Sequence, residues 1–147
     1  MHKQQGFSYI GLLLMISISG VALAGIGQVW HTQNKRNKEL ELLFIGQQFS
    51  NAIESYAKAS NGATQYPVTL SQLLNDKRLP TTKKHLRKIY LDPMTNTINW
   101  GLVKEQGRII GVYSQSQQTP LKRIFSEQFS TFNKAKTYSE WIFMATR

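Results

Sequence analysis

The N-terminal part of the chain is uncharged and mostly apolar. No Lys, Arg, Asp or Glu occurs from Gln4 through Asn34, and the apolar core of this segment runs from Phe7 to Trp30. A helix of about 20 apolar residues is long enough to cross a bilayer. The pattern therefore predicts a membrane-spanning helix at residues 7–30.

Beyond this segment, apolar residues recur at steps of three and four, which indicates an amphipathic helix with one apolar stripe. The stripe comprises Leu42, Ile45, Phe49, Ala52 or Ile53, and Tyr56. Residues 31–60 are therefore expected to continue the first helix as one rod of about 80 Å. Ser60-Asn61-Gly62 is the expected stop. The apolar stripe has to be buried, and the rest of the chain is expected to pack against it.

Shorter patterns follow in residues 61–147. Thr69-Leu70-Ser71-Gln72 is a capping-box sequence, which predicts the start of a short helix. Alternating apolar residues predict a hairpin with strands at Ile98–Lys104 and Arg108–Ser114 and a turn at Glu105-Gln106-Gly107. This part of the chain is thus expected to contain both a helix and a sheet.

Trp141-Ile142-Phe143-Met144 is expected to add a last strand to the sheet. After the N-terminal segment, about 110 residues remain, which is enough for one hydrophobic core. Residues 61–147 are therefore expected to form one small globular domain. The predicted fold class is α+β, with a long N-terminal helix, membrane-spanning in its first half, packed on a small antiparallel sheet.

The chain is strongly basic, with 18 Lys and Arg against eight Asp and Glu and a net charge of +10. Such a surface attracts nucleic acid, anionic lipid or acidic proteins. The basic residues are densest in DKRLPTTKKHLRK, from Asp76 to Lys88, where six of them accompany one acid. They are Lys77, Arg78, Lys83, Lys84, Arg87 and Lys88. The segment is interpreted either as a solvated, irregular surface or as a site for phosphate or an acidic partner, DNA included.

Sequence motifs for catalysis and metal binding are absent. The chain has no H-E-x-x-H, G-x-S-x-G or phosphate-binding glycine loop, and without cysteine it has no disulfide or thiolate metal site. His2, His31 and His85 are scattered, and His85 is expected to be a surface histidine. Residues 106–147 hold only two acidic residues, too few oxygen ligands for calcium. The sequence predicts no enzyme, no metal and no cofactor.

Two ordinary interpretations fit the N-terminus. A signal peptide needs a basic start, an apolar stretch and an A-x-A-like cleavage site, and Ala22-Leu23-Ala24 supplies the last of these. Cleavage there releases a soluble domain from Gly25, although residues 25–30 stay apolar where an exported chain usually turns polar. A plain anchor is the second interpretation. Three basic residues between positions 35 and 38 then favour a cytoplasmic C-terminal domain.

A third interpretation depends on MHKQQGFSYI, in which a leader containing Lys3 ends at Gly6 and Phe7 opens the apolar helix. This sequence resembles the processing site of type IV pilins and of the pseudopilins of type II secretion. The resemblance implies that residues 1–6 are a leader, that a prepilin peptidase cleaves the Gly6/Phe7 bond, and that it methylates the amine of Phe7. It also implies an inner-membrane protein with a cytoplasmic N-terminus and a periplasmic C-terminal domain.

The family pattern is broken at the fifth residue of the mature chain, where most members have Glu and this chain has Gly11. In the family, that Glu is understood to neutralise the terminal amine of a neighbouring subunit. Its absence implies a minor subunit at the filament tip, or else a diverged copy that no longer assembles.

Further along the helix, small residues share one face. They are Ser17, Gly20, Ala24 and Gly27. Small side chains allow helices to pack closely in lipid, which indicates contacts between subunits. The alternative is that glycine is simply common in membrane helices.

We therefore expect a minor pilin-like or pseudopilin-like structural subunit of a type II secretion or type IV pilus filament. Its expected partners are prepilin peptidase, other pilins or pseudopilins, an inner-membrane assembly platform and membrane lipid. One alternative is a minor pilin that binds DNA for uptake through residues 77–88. Another is a secreted soluble domain cleaved after Ala24.

Overall fold

The computed structural model describes residues 5–59 and 64–146, with the backbone alone described at 5–8 and 22–27. Its elements are helix α1 (Gln5–Lys58), helix α2 (Ser71–Leu74), strands β1 (Gly101–Glu105), β2 (Arg108–Tyr113) and β3 (Ile142–Met144), and 3₁₀ segments at Glu127–Lys134 and Tyr138–Glu140. These elements confirm the α+β class with a long helix and a small antiparallel sheet. The chain divides into two compact units, unit 1 (Met1–Arg36) and unit 2 (Asn37–Arg147).

In unit 1, the large apolar side chains of α1 lie exposed. Their exposed fractions range from 46% at Leu13 to 77% at Val21. They are Tyr9, Ile10, Leu12, Leu13, Leu14, Met15, Ile16, Ile18, Val21, Val29 and Trp30. Among the described residues, no helix is both long and apolar enough to cross a membrane. The predicted membrane-spanning helix at 7–30 is therefore not supported.

In unit 2, the apolar stripe predicted for α1 is buried. Its members Leu42, Ile45, Phe49, Ala52, Ile53 and Tyr56 are each at most 4% exposed. This prediction is confirmed, and burial of such side chains contributes roughly 1.5–3 kcal/mol each to folding. The helix ends at Lys58, and the expected stop at 60–62 lies outside the described residues.

The sheet has the order β1-β2-β3, and both pairs are antiparallel. β1 and β2 form the predicted hairpin through a two-residue turn, Gln106-Gly107, whose φ angles are 50° and 78°. Two successive positive φ angles match the right-handed twist of the flanking strands, and glycine adopts them without steric cost. β3 pairs Phe143 with Val112, which confirms the predicted last strand. These two side chains and Ile109 join the stripe in one hydrophobic core.

The sheet approaches the helix closely at Gly46. The ring of Phe143 lies so near that a Cβ added at Gly46 overlaps it, well inside van der Waals distance. From the sequence alone, Gly46 is a weak point in the helix, because glycine in a helix interior costs about 1 kcal/mol relative to alanine. The structure shows that it is a packing position that no larger residue can fill without displacing the ring.

A buried carboxylate joins the C-terminal segment to α1. Glu39 is 2% exposed, and its Oε1 accepts hydrogen bonds from the backbone N–H of Leu121 at 2.6 Å and of Lys122 at 3.2 Å. The hydroxyl of Tyr138 donates a third bond at 2.9 Å. Burial, followed by this bond, raises the pKa of the Tyr138 hydroxyl. Three donors compensate for the hydration that the Glu39 carboxylate loses on burial.

The stretch after Pro120 has a weak hydrophobic pattern and is ordered by aromatic packing. Trp141 is fully buried, and it stacks on Phe132 with ring centroids 5.6 Å apart and an interplanar angle of 2°. Phe125 and Tyr138 meet its ring edge-on, each with centroids 5.1 Å apart. Aromatic pairs of this kind contribute about 0.5–1.5 kcal/mol each beyond their burial.

The predicted capping box is formed only in part. α2 has no side-chain cap at its first turn. Gln72 does reach back as the motif requires, because its Oε1 accepts the backbone N–H of Val68 at 2.7 Å and, more weakly, that of Thr69 at 3.5 Å. The glutamine half of the motif is therefore present without the reciprocal cap.

The packing at Gly46 gives a stability prediction. Gly46→Ala is expected to lower the free energy of unfolding by about 1–3 kcal/mol, because the added methyl group displaces the Phe143 ring. Urea unfolding of the full chain in neutral detergent measures the change. The matched control is Gly20→Ala in the same helix, where nothing lies within 4 Å of an added Cβ. A neutral or stabilising Gly46→Ala would contradict the close approach.

Candidate functional site

The predicted processing position lies in α1, close to the start of its described part. The backbone at Gly6 and Phe7 is helical, while residues 1–4 are outside the described part of the chain. A peptidase that needs an extended Gly6/Phe7 bond would therefore have to unwind the helix locally.

The predicted packing face is described only in part. Ser17 and Gly20 are exposed, whereas Ala24 and Gly27 lie where α1 is described by its backbone alone. The Ser17 hydroxyl donates to a carbonyl one turn back in the helix, at 2.9 Å. Gly11 lies in open space, since nothing lies within 4 Å of a Cβ added there. Position 11 therefore has room for a larger side chain in this chain.

The basic segment forms a closed surface loop, residues 76–88, which we call the basic loop. An antiparallel bridge joins Asp76 to Lys83 near its start, with the Asp76 N–H donating at 2.9 Å. Further on, the carbonyl of Leu73 in α2 accepts the N–H of Leu86 at 2.9 Å. Leu86 is itself 4% exposed. The loop backbone is thus held at several points, although its sequence is mostly polar.

Arg78 is bonded to its own chain, although its side chain is 25% exposed. Asp76 is 1% exposed, and its carboxylate accepts bonds from Arg78 Nε at 2.9 Å and Nη2 at 2.7 Å. Nη2 also donates to the carbonyl of Tyr56 at 2.6 Å, and the guanidinium lies 3.5 Å from the centre of the Tyr56 ring. The bonds from Arg78 hold the pKa of Asp76 well below its ordinary value. Arg78 therefore has little to offer an external anion, unlike the other five basic residues of the loop.

His85 is not the surface histidine that the sequence predicts. Its side chain is fully buried, with Nε2 3.2 Å from Asp76 Oδ2 and Nδ1 2.8 Å from Ser55 Oγ. The Tyr56 ring meets the imidazole edge-on, with centroids 5.5 Å apart. Burial lowers the pKa of His85, and the bond to Asp76 only partly opposes this. The residue beside it in sequence, Lys84, remains exposed.

Ser55, His85 and Asp76 are the residue types of a hydrolase triad, and their contacts have hydrogen-bond lengths. Two features make the arrangement structural. The imidazole is enclosed, so a substrate cannot reach it. Arg78 already neutralises the carboxylate that would stabilise an imidazolium. The three side chains instead fasten the basic loop to the last turns of α1.

The remaining cations of the basic loop lie exposed. They are Lys77, Lys83, Lys84, Arg87 and Lys88. Lys88 Nζ lies 5.3 Å from the centre of the Tyr90 ring, which contributes a weak attraction at an exposed site. Asp76, the one acid in this stretch of sequence, is buried and balanced by Arg78. The loop therefore presents a fixed group of positive charges to solvent.

Comparisons of the chain with protein-family models, with curated proteins and with solved structures found no significant match to any of them. The resemblance to pilins therefore rests on the residues of the N-terminal segment. The order of elements in unit 2 agrees with it only as a long helix followed by a small antiparallel sheet.

Sequence reasoning missed the buried polar residues of unit 2. The burial of Glu39 could have been predicted, because it lies three residues before Leu42 and so falls on the same face of the helix as the apolar stripe. The burial of Asp76 and His85 could not, because they stand among lysines and arginines in an irregular segment. Arg78 and His85, which both bond to Asp76, reach α1 at Tyr56 and Ser55, 22 and 30 positions earlier in the sequence.

The buried histidine gives a pH prediction. Because the pKa of His85 is lower in the folded chain than its ordinary value of about 6.5, the unfolded chain binds more protons below that pH. Stability is therefore expected to fall as the pH decreases from about 7.5 to about 5.5. Urea midpoints across this range measure the fall, and His85→Gln should flatten it, whereas the exposed His31→Gln should not. A midpoint that rises on acidification would contradict the burial of a neutral imidazole.

Proposed function

We propose that this chain is a minor pilin-like or pseudopilin-like subunit, cleaved between Gly6 and Phe7. Residues 7–30 hold it in the inner membrane, with unit 2 on the periplasmic side, until it enters a periplasmic or surface filament. Its work is assembly, not catalysis. The observation that carries the proposal is the exposed apolar surface of α1, which begins directly after the Gly6-Phe7 sequence.

The apolar surface of α1 in unit 1 runs all the way round the helix. Leu12 through Ile16 are five consecutive apolar residues, and at 3.6 residues per turn they point in every direction. All five are at least 46% exposed. A helix that is apolar all round is stable only where something other than water surrounds it. α1 is the one element within the described part of unit 1. On this proposal, lipid or the helices of other subunits surround it.

The polar side chains on this part of α1 also suit apolar surroundings. Ser17 Oγ donates to the carbonyl of Leu13 at 2.9 Å, and Ser19 Oγ donates to that of Met15 at 2.8 Å. A hydroxyl bonded within its own helix does not need water, which is the condition that a hydrocarbon environment imposes. These serines therefore cost little in lipid or in a filament core.

Unit 2 has the opposite character. It has an enclosed apolar core, although some large apolar side chains such as Phe44, Ile98 and Ile124 are exposed. Its exposed surface carries most of the basic residues of the chain. Such a domain is stable in water, as the globular head of a filament subunit must be. The proposal requires this contrast, because unit 1 contacts lipid or other subunits while unit 2 stays in water.

The first prediction concerns processing. Coexpressed with a prepilin peptidase, the chain is expected to begin at an N-methylated Phe7 and to stay in the membrane fraction, which terminal mass analysis after fractionation decides. Gly6→Val should leave the leader in place, because a β-branched side chain hinders the close extended approach that glycine allows. A mature chain starting at Gly25, or one found in the soluble fraction, would contradict the proposal.

The second prediction concerns Gly11. A terminal amine is costly to bury unpaired, and Gly11 offers no carboxylate to a neighbouring copy. Expressed alone in a strain without other pilins, the unmodified chain is therefore expected to form no filaments, as scored by shearing and electron microscopy. Gly11→Glu should be tolerated in the folded chain, since position 11 is open, and should increase self-assembly. Abundant homopolymers of the unmodified chain would remove the main reason for a minor role.

A further inference from the structure

The basic loop concentrates positive charge without a compensating acid at its surface. Its five exposed cations lie within twelve consecutive residues, 77–88. Asp76 is buried against Arg78, and the acid of the neighbouring last turns of α1, Glu54, is paired with Lys58. An anion that approaches the loop therefore meets cations whose nearest carboxylates are already neutralised.

The loop is also held in place. The bridge between Asp76 and Lys83 closes one part of it, and the carbonyl of Leu73 accepts the N–H groups of both His85 and Leu86, at 2.8 and 2.9 Å. A fixed array of charges loses less conformational entropy on binding than a flexible tail does. This favours a ligand that offers several anionic groups at a regular spacing.

The residue types are compatible with phosphate. Four of the five exposed cations are lysines, which bind phosphate oxygens as point charges and need no fixed geometry. Arg78, one of the two arginines of the loop, is already committed to Asp76. The exposed hydroxyl residues Thr81 and Thr82 lie between the two groups of cations, and such side chains commonly bond phosphate oxygens in nucleic-acid complexes.

The surroundings of the loop disfavour both a bilayer and a single strand. Leu86 is buried and Leu79 is half-buried, so the loop offers little apolar surface for insertion between lipid headgroups. Single-stranded nucleic acid is bound largely by stacking of bases on aromatic rings. The nearest ring in sequence, Tyr90, is half-buried, with Phe49 edge-on to it at 6.3 Å and Lys88 over it.

We infer that the basic loop binds the phosphate backbone of double-stranded nucleic acid without reading its sequence. The contacts come from Lys77, Lys83, Lys84, Arg87 and Lys88. A cleft of about 420 Å³ beside Lys83, lined from α1 by Asn51, Ser55 and the Glu54–Lys58 pair among others, gives room for a phosphate next to the loop. Arg78 and His85 hold the loop from inside and do not touch the ligand.

The test uses the full chain in neutral detergent and a fluorescently labelled duplex of about 20 base pairs, with anisotropy read across NaCl concentrations from about 50 to 200 mM. Five phosphate contacts predict that affinity falls about 500-fold over this range. The double variant Lys83→Gln with Lys84→Gln should weaken binding about tenfold at the lowest salt and reduce the salt slope by about two. Two duplexes of unrelated sequence should bind equally.

The matched control is Lys134→Gln with Lys136→Gln, which removes the same charge from two exposed lysines outside the loop. It should change affinity less than about threefold, because those lysines make no phosphate contact. Equal losses in the two double variants would show attraction by net charge alone and overturn the proposal. Three other results would also overturn the proposal. They are a flat salt dependence, tighter binding to the single strand than to the duplex, and binding to phosphatidylglycerol vesicles in the absence of duplex binding. None of these outcomes depends on cleavage at Gly6/Phe7 or on filament formation.

Discussion

The apolar stripe on the second half of α1 has to be removed from water, and the other elements of unit 2 are arranged to do this. The sheet supplies Ile109, Val112 and Phe143, and the C-terminal segment adds the aromatic cluster around Trp141. The approach of Phe143 to Gly46 is so close that only glycine fits. A position that weakens the isolated helix therefore lets the sheet come near enough to complete the core.

Two buried carboxylates fix the segments that the apolar core alone leaves free. Glu39 holds the chain after Pro120 through two backbone N–H groups and the Tyr138 hydroxyl. Asp76 holds the basic loop through Arg78 and His85. Hydrophobic burial is not directional, whereas an unpaired buried carboxylate costs several kcal/mol. These bonds therefore select one arrangement of irregular segments that have little secondary structure of their own.

What could be predicted from the sequence was local or periodic. The stripe of α1 and the hairpin around Gln106-Gly107 follow from spacing and turn chemistry, which act over a few residues. The roles of Arg78 and His85 could not be predicted, because a basic residue that faces solvent and one that bonds to its own chain look alike in a basic run. Only the fold brings Arg78 to the carbonyl of Tyr56, 22 positions earlier in the chain. Gly46 was missed for a similar reason, since its importance depends on a ring 97 positions later (143 minus 46).

The two halves of α1 have surfaces that one solvent cannot satisfy. In unit 2, the apolar stripe of α1 is enclosed by the chain itself, and Leu40 and Phe44 are the large apolar side chains of this half that stay exposed. In unit 1, the described large apolar side chains are exposed, and contact with water is unfavourable for them. The hydroxyls of Ser17 and Ser19 are bonded within the helix, so they do not need water as a partner. On the proposed function, the exposed apolar surface of unit 1 binds first to lipid and then to other subunits. On the same proposal, Gly11 limits entry into a filament, because a helix without a carboxylate at position 11 cannot pair with the terminal amine of a neighbouring subunit.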